Sequence, residues 1–177
     1  RHIIEEFQTW VIDVIMGYGI TECSPIISAS EYRDSIPDSV GKALEGVQVI
    51  INNPDEKGIG EICVKGDTVM KGYYNNPIET KKALEGGMFH TGDVGYLNED
   101  GYLFITGRIK NIIILSNGEN VSPEMLEAAI IEQTIVKEAV VYQKENMIVA
   151  EIYPNKSYID KNHIADVERQ MNLVVIS

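Results

Sequence analysis

Residues 94–107 read VGYLNEDGYLFITG. Two short strand-like runs, VGYLN and GYLFITG, flank ED, and Asp100-Gly101 supplies the residues that a tight reverse turn prefers. The pattern predicts a β-hairpin. A second hairpin is expected upstream, where VQVII and GEICVKG are separated by NNPDEKGI, a stretch with the Asn, Pro, Asp and Gly content of a turn. Between the hairpins, NPIETKKALEGG reads as a short helix, with Pro77 in its first turn and Gly86-Gly87 ending it. RHIIEEFQTW has helical spacing, VIDVIM reads as a buried strand ending near residue 17, and residues 24–45 as irregular chain.

After residue 107 the pattern changes. IIIL predicts a strand, SNGEN a loop, SPEMLEAAIIEQ a helix with Ser122 as N-cap and Pro123 in its first turn, IVKEAVVYQ and MIVAEIYP two strands, and DKNHIADVERQMNL a final amphipathic helix. The expected fold class is α+β. A distorted β-barrel built of hairpins occupies 1–106, a joint falls at 107–110, and a small α+β unit fills 111–177.

With 44% hydrophobic and 24% charged residues, the composition is that of an ordinary globular chain. A formal net charge of −12 argues against a nucleic-acid partner, which needs clustered Lys and Arg. It also counts against tight binding to anionic lipid, while peripheral membrane contact stays open. No run approaches the roughly 20 apolar residues that span a bilayer, and no leader opens the chain, so a cytoplasmic location is expected. Cys23 and Cys63 lack metal-ligand spacing and read as reduced apolar thiols.

Several stretches can carry chemistry. In GYGITE, Gly17 and Gly19 let the backbone approach a ligand, Tyr18 offers a flat face, Thr21 a hydroxyl and Glu22 a carboxylate suited to Mg²⁺ with phosphate oxygens. The plainer reading is turn punctuation. Asp93 and Arg108 stand at the start and end of one predicted hairpin, where a carboxylate and a guanidinium on one edge suit a vicinal diol such as ribose; a structural ion pair is the alternative. Lys110 is either a joint that absorbs a backbone rotation or a solvated lysine. Gly118 either admits a second ligand or forms a turn. His90 reads as structural, and His2 and His163 as solvated.

Taken together, these stretches resemble the adenylate-forming superfamily, which includes acyl-CoA synthetases, peptide-synthetase adenylation domains and luciferases. GYGITE matches its aromatic-Gly-x-Thr-Glu motif. GEICVKGDTVMKGYYNNPIET looks like its Gly-Glu … GYYN … Thr segment, and HTGDVGYLNEDGYLFITGRIKNIIILSNGENVSPEMLE is similar to its TGD … GR-x-K … G-x-x-V-x-P core. The resemblance implies that Tyr18 stacks on adenine beside Gly19, Thr21 contacts the α-phosphate, Glu22 holds Mg²⁺, Asp93 binds the ribose hydroxyls and Arg108 assists. It makes Lys110 the hinge and puts Gly118, Glu119 and Asn120 along the path of the CoA thiol arm. ATP, Mg²⁺ and CoA are the implied cofactor and substrates, beside a fatty acid.

Many members carry Asp at the hinge; Lys110 departs from that and, with SNGENV, points to long-chain fatty acid:CoA ligases. The family's upstream phosphate loop and its C-terminal lysine are not in this sequence, so the chain reads as a partial piece, expected to be unable to complete adenylation alone. The competing expectations are an adenylation domain that loads a carrier protein and a non-catalytic nucleotide-binding module.

Overall fold

The computed structural model describes residues 7, 10, 14–32, 36–116, 120–145 and 147–167. The chain divides into two compact units, Arg1–Ile109 and Lys110–Ser177.

The first unit is built on seven antiparallel strands: β1 Gly17–Gly19, β2 Ile26–Ala29, β3 Ser39–Ala43, β4 Val47–Asn52, β5 Gly60–Gly66, β6 Phe89–Leu97 and β7 Tyr102–Arg108, ordered β1-β2-β3-β7-β6-β5-β4. β4 and β1 are the two edges, yet Val47 and Val49 of one and Tyr18 of the other pack on the same buried cluster of Cys23, Ile27, Val64 and Phe89. The sheet therefore curls into the expected distorted barrel. Ile62, Cys63 and Val64 of β5 are all fully buried, so both faces of that strand are covered.

Both predicted hairpins form. In the first, Val47 pairs with Gly66 and Asn52 with Glu61; its turn is closed by the Asp55 side chain, which accepts the Lys57 and Ile59 N–H groups at 2.8 and 2.9 Å. In the second, Asn98 closes the turn by accepting the Gly101 N–H on its carbonyl and the Tyr102 N–H on its side chain. Tyr96 and Phe104 stack across that pair at 4.8 Å. Helix α1, Pro77–Ala83, starts with Asn76 accepting the Glu79 N–H and Pro77 in the first turn.

The second unit holds the short pair β8 Ile113–Ile114 and β9 Asn120–Val121, helix α2 Pro123–Ile131, the hairpin β10 Val136–Lys144 with β11 Met147–Pro154, and helix α3 Lys156–Lys161. Ile135, Val136 and Ala139 form its core, closed by Ile130 of α2, Ile152 of β11 and Tyr158 and Ile159 of α3. Glu127 on α2 accepts the Val141 N–H at 2.7 Å and pins the helix to the hairpin.

Four expectations are corrected. Residues 24–45 are not wholly irregular: they hold β2 and β3, whose inward residues include Ser28 and Ser39. These hydroxyls donate to the Val40 and Leu103 carbonyls, a buried polar pairing that breaks the apolar alternation a strand normally shows. The VIDVIM strand does not extend over Val14–Met16, because the Met16 backbone bonds instead to Ser30; the strand is Gly17–Gly19. The helix predicted from Asp160 does not run on from there: α3 begins earlier, at Lys156, where Asn155 caps it by accepting the Tyr158 N–H, and the chain turns at His163 with a φ of 51°, while residues 168–173 of that prediction lie outside the described residues. Ser122 stands at the N-cap of α2, but its hydroxyl donates to Glu124 rather than accepting a backbone N–H. The predicted helix at the opening of the chain falls largely outside the described residues.

Candidate functional site

The hairpin β6–β7 sets the first part of the site. Asp93 and Arg108 are directly opposite in its register, and the Arg108 Nε lies 2.9 Å from Asp93 Oδ1. The carboxylate is buried while the Arg108 side chain is 66% exposed, so the pair is a fixed acceptor with a solvent-facing cation rather than a closed internal ion pair. Thr91 prepares the position: its hydroxyl donates to the Ile62 carbonyl at 2.7 Å and accepts the Asp93 N–H at 3.0 Å.

β1 brings the second part. The Tyr18 hydroxyl donates to Asp93 Oδ2 at 2.7 Å across 75 residues of sequence, so GYGITE and TGD meet directly. Burial pushes the Tyr18 phenol above the usual tyrosine range, with Asp93 adding to the rise and Thr91 opposing it; it remains a donor at physiological pH. After Gly19 the chain makes a one-turn 3₁₀ helix, Thr21–Cys23, anchored inside by the fully buried Cys23. Gly19 is required here by packing: a Cβ would fall against the Pro25 backbone where Ile20 N–H bonds the Pro25 carbonyl at 2.7 Å.

The turn presents Thr21, exposed, and Glu22, half-exposed. Among the described residues the Thr21 hydroxyl has no protein partner, and the Glu22 carboxylate has one, the Tyr73 hydroxyl, which donates to Oε1 at 2.9 Å. An exposed hydroxyl beside a carboxylate with a free oxygen is a hard-oxygen donor set that fits Mg²⁺, which commonly takes one or two carboxylates and keeps several waters.

Lys110 is exposed and lies in a 3₁₀ turn, Ile109–Asn111, immediately after β7. Asn120 opens β9, exposed and opposite Ile114. Gly118 and Glu119 lie outside the described residues, as does His2. His163 is exposed, as expected.

Sequence reasoning missed three supporting side chains. Tyr73 and Thr91 sit inside the GYYN and HTGD motifs but had no role assigned to them. Glu61 accepts from His90 Nδ1 at 2.7 Å and from the Gly92 N–H at 3.3 Å, bracing the strand that carries Asp93. Cys63 joins this pair, and the donor atoms of Glu61, Cys63 and His90 lie within 4.8 Å of one another. The spacing 61, 63, 90 gave no hint of that, because it arises from the pairing of β5 with β6.

Comparison with known proteins follows the same division. The AMP-binding enzyme family model matches residues 1–74, and that of the AMP-binding enzyme C-terminal domain matches 110–175. A long-chain-fatty-acid–CoA ligase of Bos taurus is 39% identical over 84% of this chain and 21% of its own length. A chloroplastic long-chain-fatty-acid–[acyl-carrier-protein] ligase of Arabidopsis thaliana is 34% identical over 88% of the chain and 24% of its own length. The solved structure of the O-succinylbenzoate coenzyme A synthetase of Bacillus subtilis in complex with AMP superposes with a TM-score of 0.76 at 29% identity, over 90% of this chain and 37% of that one. The chain thus spans about a quarter of the length of these two curated relatives. With its motifs in order and both units matched, it belongs to the AMP-binding, adenylate-forming enzyme family.

Proposed function

We propose that this chain is part of an acyl-CoA synthetase that activates a long-chain fatty acid with ATP and passes the acyl group to CoA. The observation that carries the reading is the junction of Tyr18, Asp93 and Arg108 beside the Thr21–Glu22 turn. It offers an aromatic ring, a held carboxylate for a diol and a hard-oxygen pair for phosphate and metal within one curled sheet.

In the first half-reaction a carboxylate oxygen of the fatty acid attacks the α-phosphorus of ATP and pyrophosphate leaves. In the second, the CoA sulfur attacks the acyl carbonyl, the thiol proton is lost and AMP departs. Bound Mg²⁺ offsets phosphate charge. The chain's own residues position the nucleotide: Tyr18 against the base, Asp93 with Arg108 on the ribose, Thr21 toward the α-phosphate and Glu22 toward the cation. Residues 1–106 form the end of the large adenylation domain, 107–110 the hinge, and 111–177 the small domain, with Gly118, Glu119 and Asn120 toward the CoA arm. The setting is the cytoplasm. Among the described residues no helix is long and apolar enough to cross a membrane, whereas the name of the Arabidopsis relative gives it a chloroplast address.

That relative also favours a second reading, in which the acyl acceptor is a carrier protein. One experiment separates them: the complete protein carrying this chain is supplied with ATP and fatty acids of increasing length, with and without CoA, and acyl-AMP and acyl-CoA are quantified separately. Acyl-CoA peaking with long chains is expected. Acyl-AMP that accumulates regardless of CoA transfers the assignment to carrier loading, and AMP binding without product, indifferent to Asp93→Ala, leaves a nucleotide-binding module. The 177 residues alone are expected to form no acyl-CoA.

A further inference from the structure

The GYYN motif has no part in the reading above, yet its first tyrosine makes a long-range contact with the candidate cation ligand. We infer that Tyr73 is a positioning residue that aims the Glu22 carboxylate at the metal, an inference that rests on the metal role proposed for Glu22.

Three bonds fasten residues 68–73 over the Thr21–Cys23 turn and Ser24. The Ser24 hydroxyl donates to the Thr68 carbonyl at 2.8 Å, the Met70 N–H donates to the Glu22 carbonyl at 2.8 Å, and the Tyr73 hydroxyl donates to Glu22 Oε1 at 2.9 Å. Beneath this strap, Val69 and Met70 pack against the buried cluster that contains Cys23. Its far end is tied to α1: the Tyr73 N–H donates to Thr80 Oγ1 at 2.9 Å, and that hydroxyl donates to the Asn76 carbonyl at 2.8 Å. Gly72, at a φ of 147°, lies so close to the Thr80 side chain that a Cβ has no room. The Tyr73 backbone is thus held from both sides, and its hydroxyl arrives at Glu22 from a fixed direction.

A half-exposed glutamate otherwise samples several rotamers, and ordering it costs conformational entropy. One donor on Oε1 selects an orientation and leaves Oε2, unpartnered among the described residues, for a cation. Tyr73 suits that task because a neutral phenol donates one proton to the carboxylate without neutralising its charge, as a lysine would.

The test uses Mn²⁺ as a spectroscopic stand-in for Mg²⁺. In the complete protein saturated with ATP, the Kd of Mn²⁺ is read by electron paramagnetic resonance for the wild type, Glu22→Gln and Tyr73→Phe, alongside metal-free AMP affinity and the thermal midpoint. Tyr73→Phe is expected to raise the Mn²⁺ Kd roughly tenfold, the scale of one hydrogen bond to a charged group, with AMP affinity and midpoint unchanged. The Mg²⁺ concentration for half-maximal acyl-AMP formation rises in parallel, and the KM for fatty acid does not. If Glu22→Gln weakens Mn²⁺ binding and Tyr73→Phe does not, the positioning role is overturned while the metal role of Glu22 stands. If Glu22→Gln itself has no effect, the metal role fails and the inference falls with it. An equal loss of Mn²⁺ and metal-free AMP affinity in Tyr73→Phe, with a lowered midpoint, makes the strap a structural tether and overturns the inference as well.

Discussion

Cys23 and Cys63 have no exposed surface, and each stands beside a carboxylate that bears on the site. Burial pushes their thiols up to about 11 and about 12, with Glu22 adding to the first and Glu61 to the second. Both folded values lie above the ordinary thiol value of 9.0, so between pH 9 and 11 the unfolded chain loses these protons and the folded one keeps them. Their contribution to stability is fully present below pH 9 and is lost as pH rises through that window, at about 1.4 kcal/mol per pH unit for each thiol. Denaturant unfolding from pH 8 to 11 is expected to show a shallower alkaline decline for Cys63→Ala than for the wild type; superimposable slopes would mean that the folded thiol ionises as freely as the unfolded one. The Asp93–Arg108 pair is of another kind. With its cation largely in water it adds little to stability, and its value is the direction it gives a buried carboxylate.

Among the elements, β1 is only three residues long, yet it delivers Tyr18 to Asp93 and opens into the turn that holds Thr21 and Glu22. Its placement depends on the irregular register at Tyr18/Gly19 and on the close approach of Pro25. Gly19→Ala presses a methyl group against that backbone, and neither side of the contact is a side chain that can rotate away. A loss of about 1–3 kcal/mol is expected, the usual cost of overpacking, together with weaker AMP affinity as Tyr18 is displaced. Calorimetric unfolding and AMP titration check the two effects; loss of stability with normal AMP affinity would show that the Tyr18–Asp93 contact survives the shift. α1 contributes in a different way. None of its residues is fully buried, and it serves as the anchor for the strap over Glu22.

At the scale of the whole molecule, the boundary between units falls between Ile109 and Lys110, inside a single 3₁₀ turn. A turn of three residues has few bonds to break, so the proposed hinge needs only a small set of backbone torsions to change. Lys110→Pro locks one of them. ATP–pyrophosphate exchange by the complete protein is expected to persist in this variant while thioester formation falls, and equal loss of both half-reactions would remove residue 110 from the hinge.

The antiparallel hairpins, helix α1, the two-part organisation and the motifs that hold Tyr18, Thr21, Glu22, Asp93, Arg108 and Lys110 are legible in the chain alone. Each is written in a local signal: alternation, turn residues, a proline in a first helical turn, or a short motif. The contacts belong to the folded molecule: Tyr18 bonds to Asp93, Tyr73 reaches Glu22, Glu61 and His90 brace the TGD segment, and the strands with inward Ser28 and Ser39 form. Those features depend on partners 12 to 75 residues apart. Buried hydroxyls whose bonds go to distant carbonyls look like loop residues until the opposing strand is in place, because hydrogen-bond satisfaction belongs to the assembled sheet and not to any one segment.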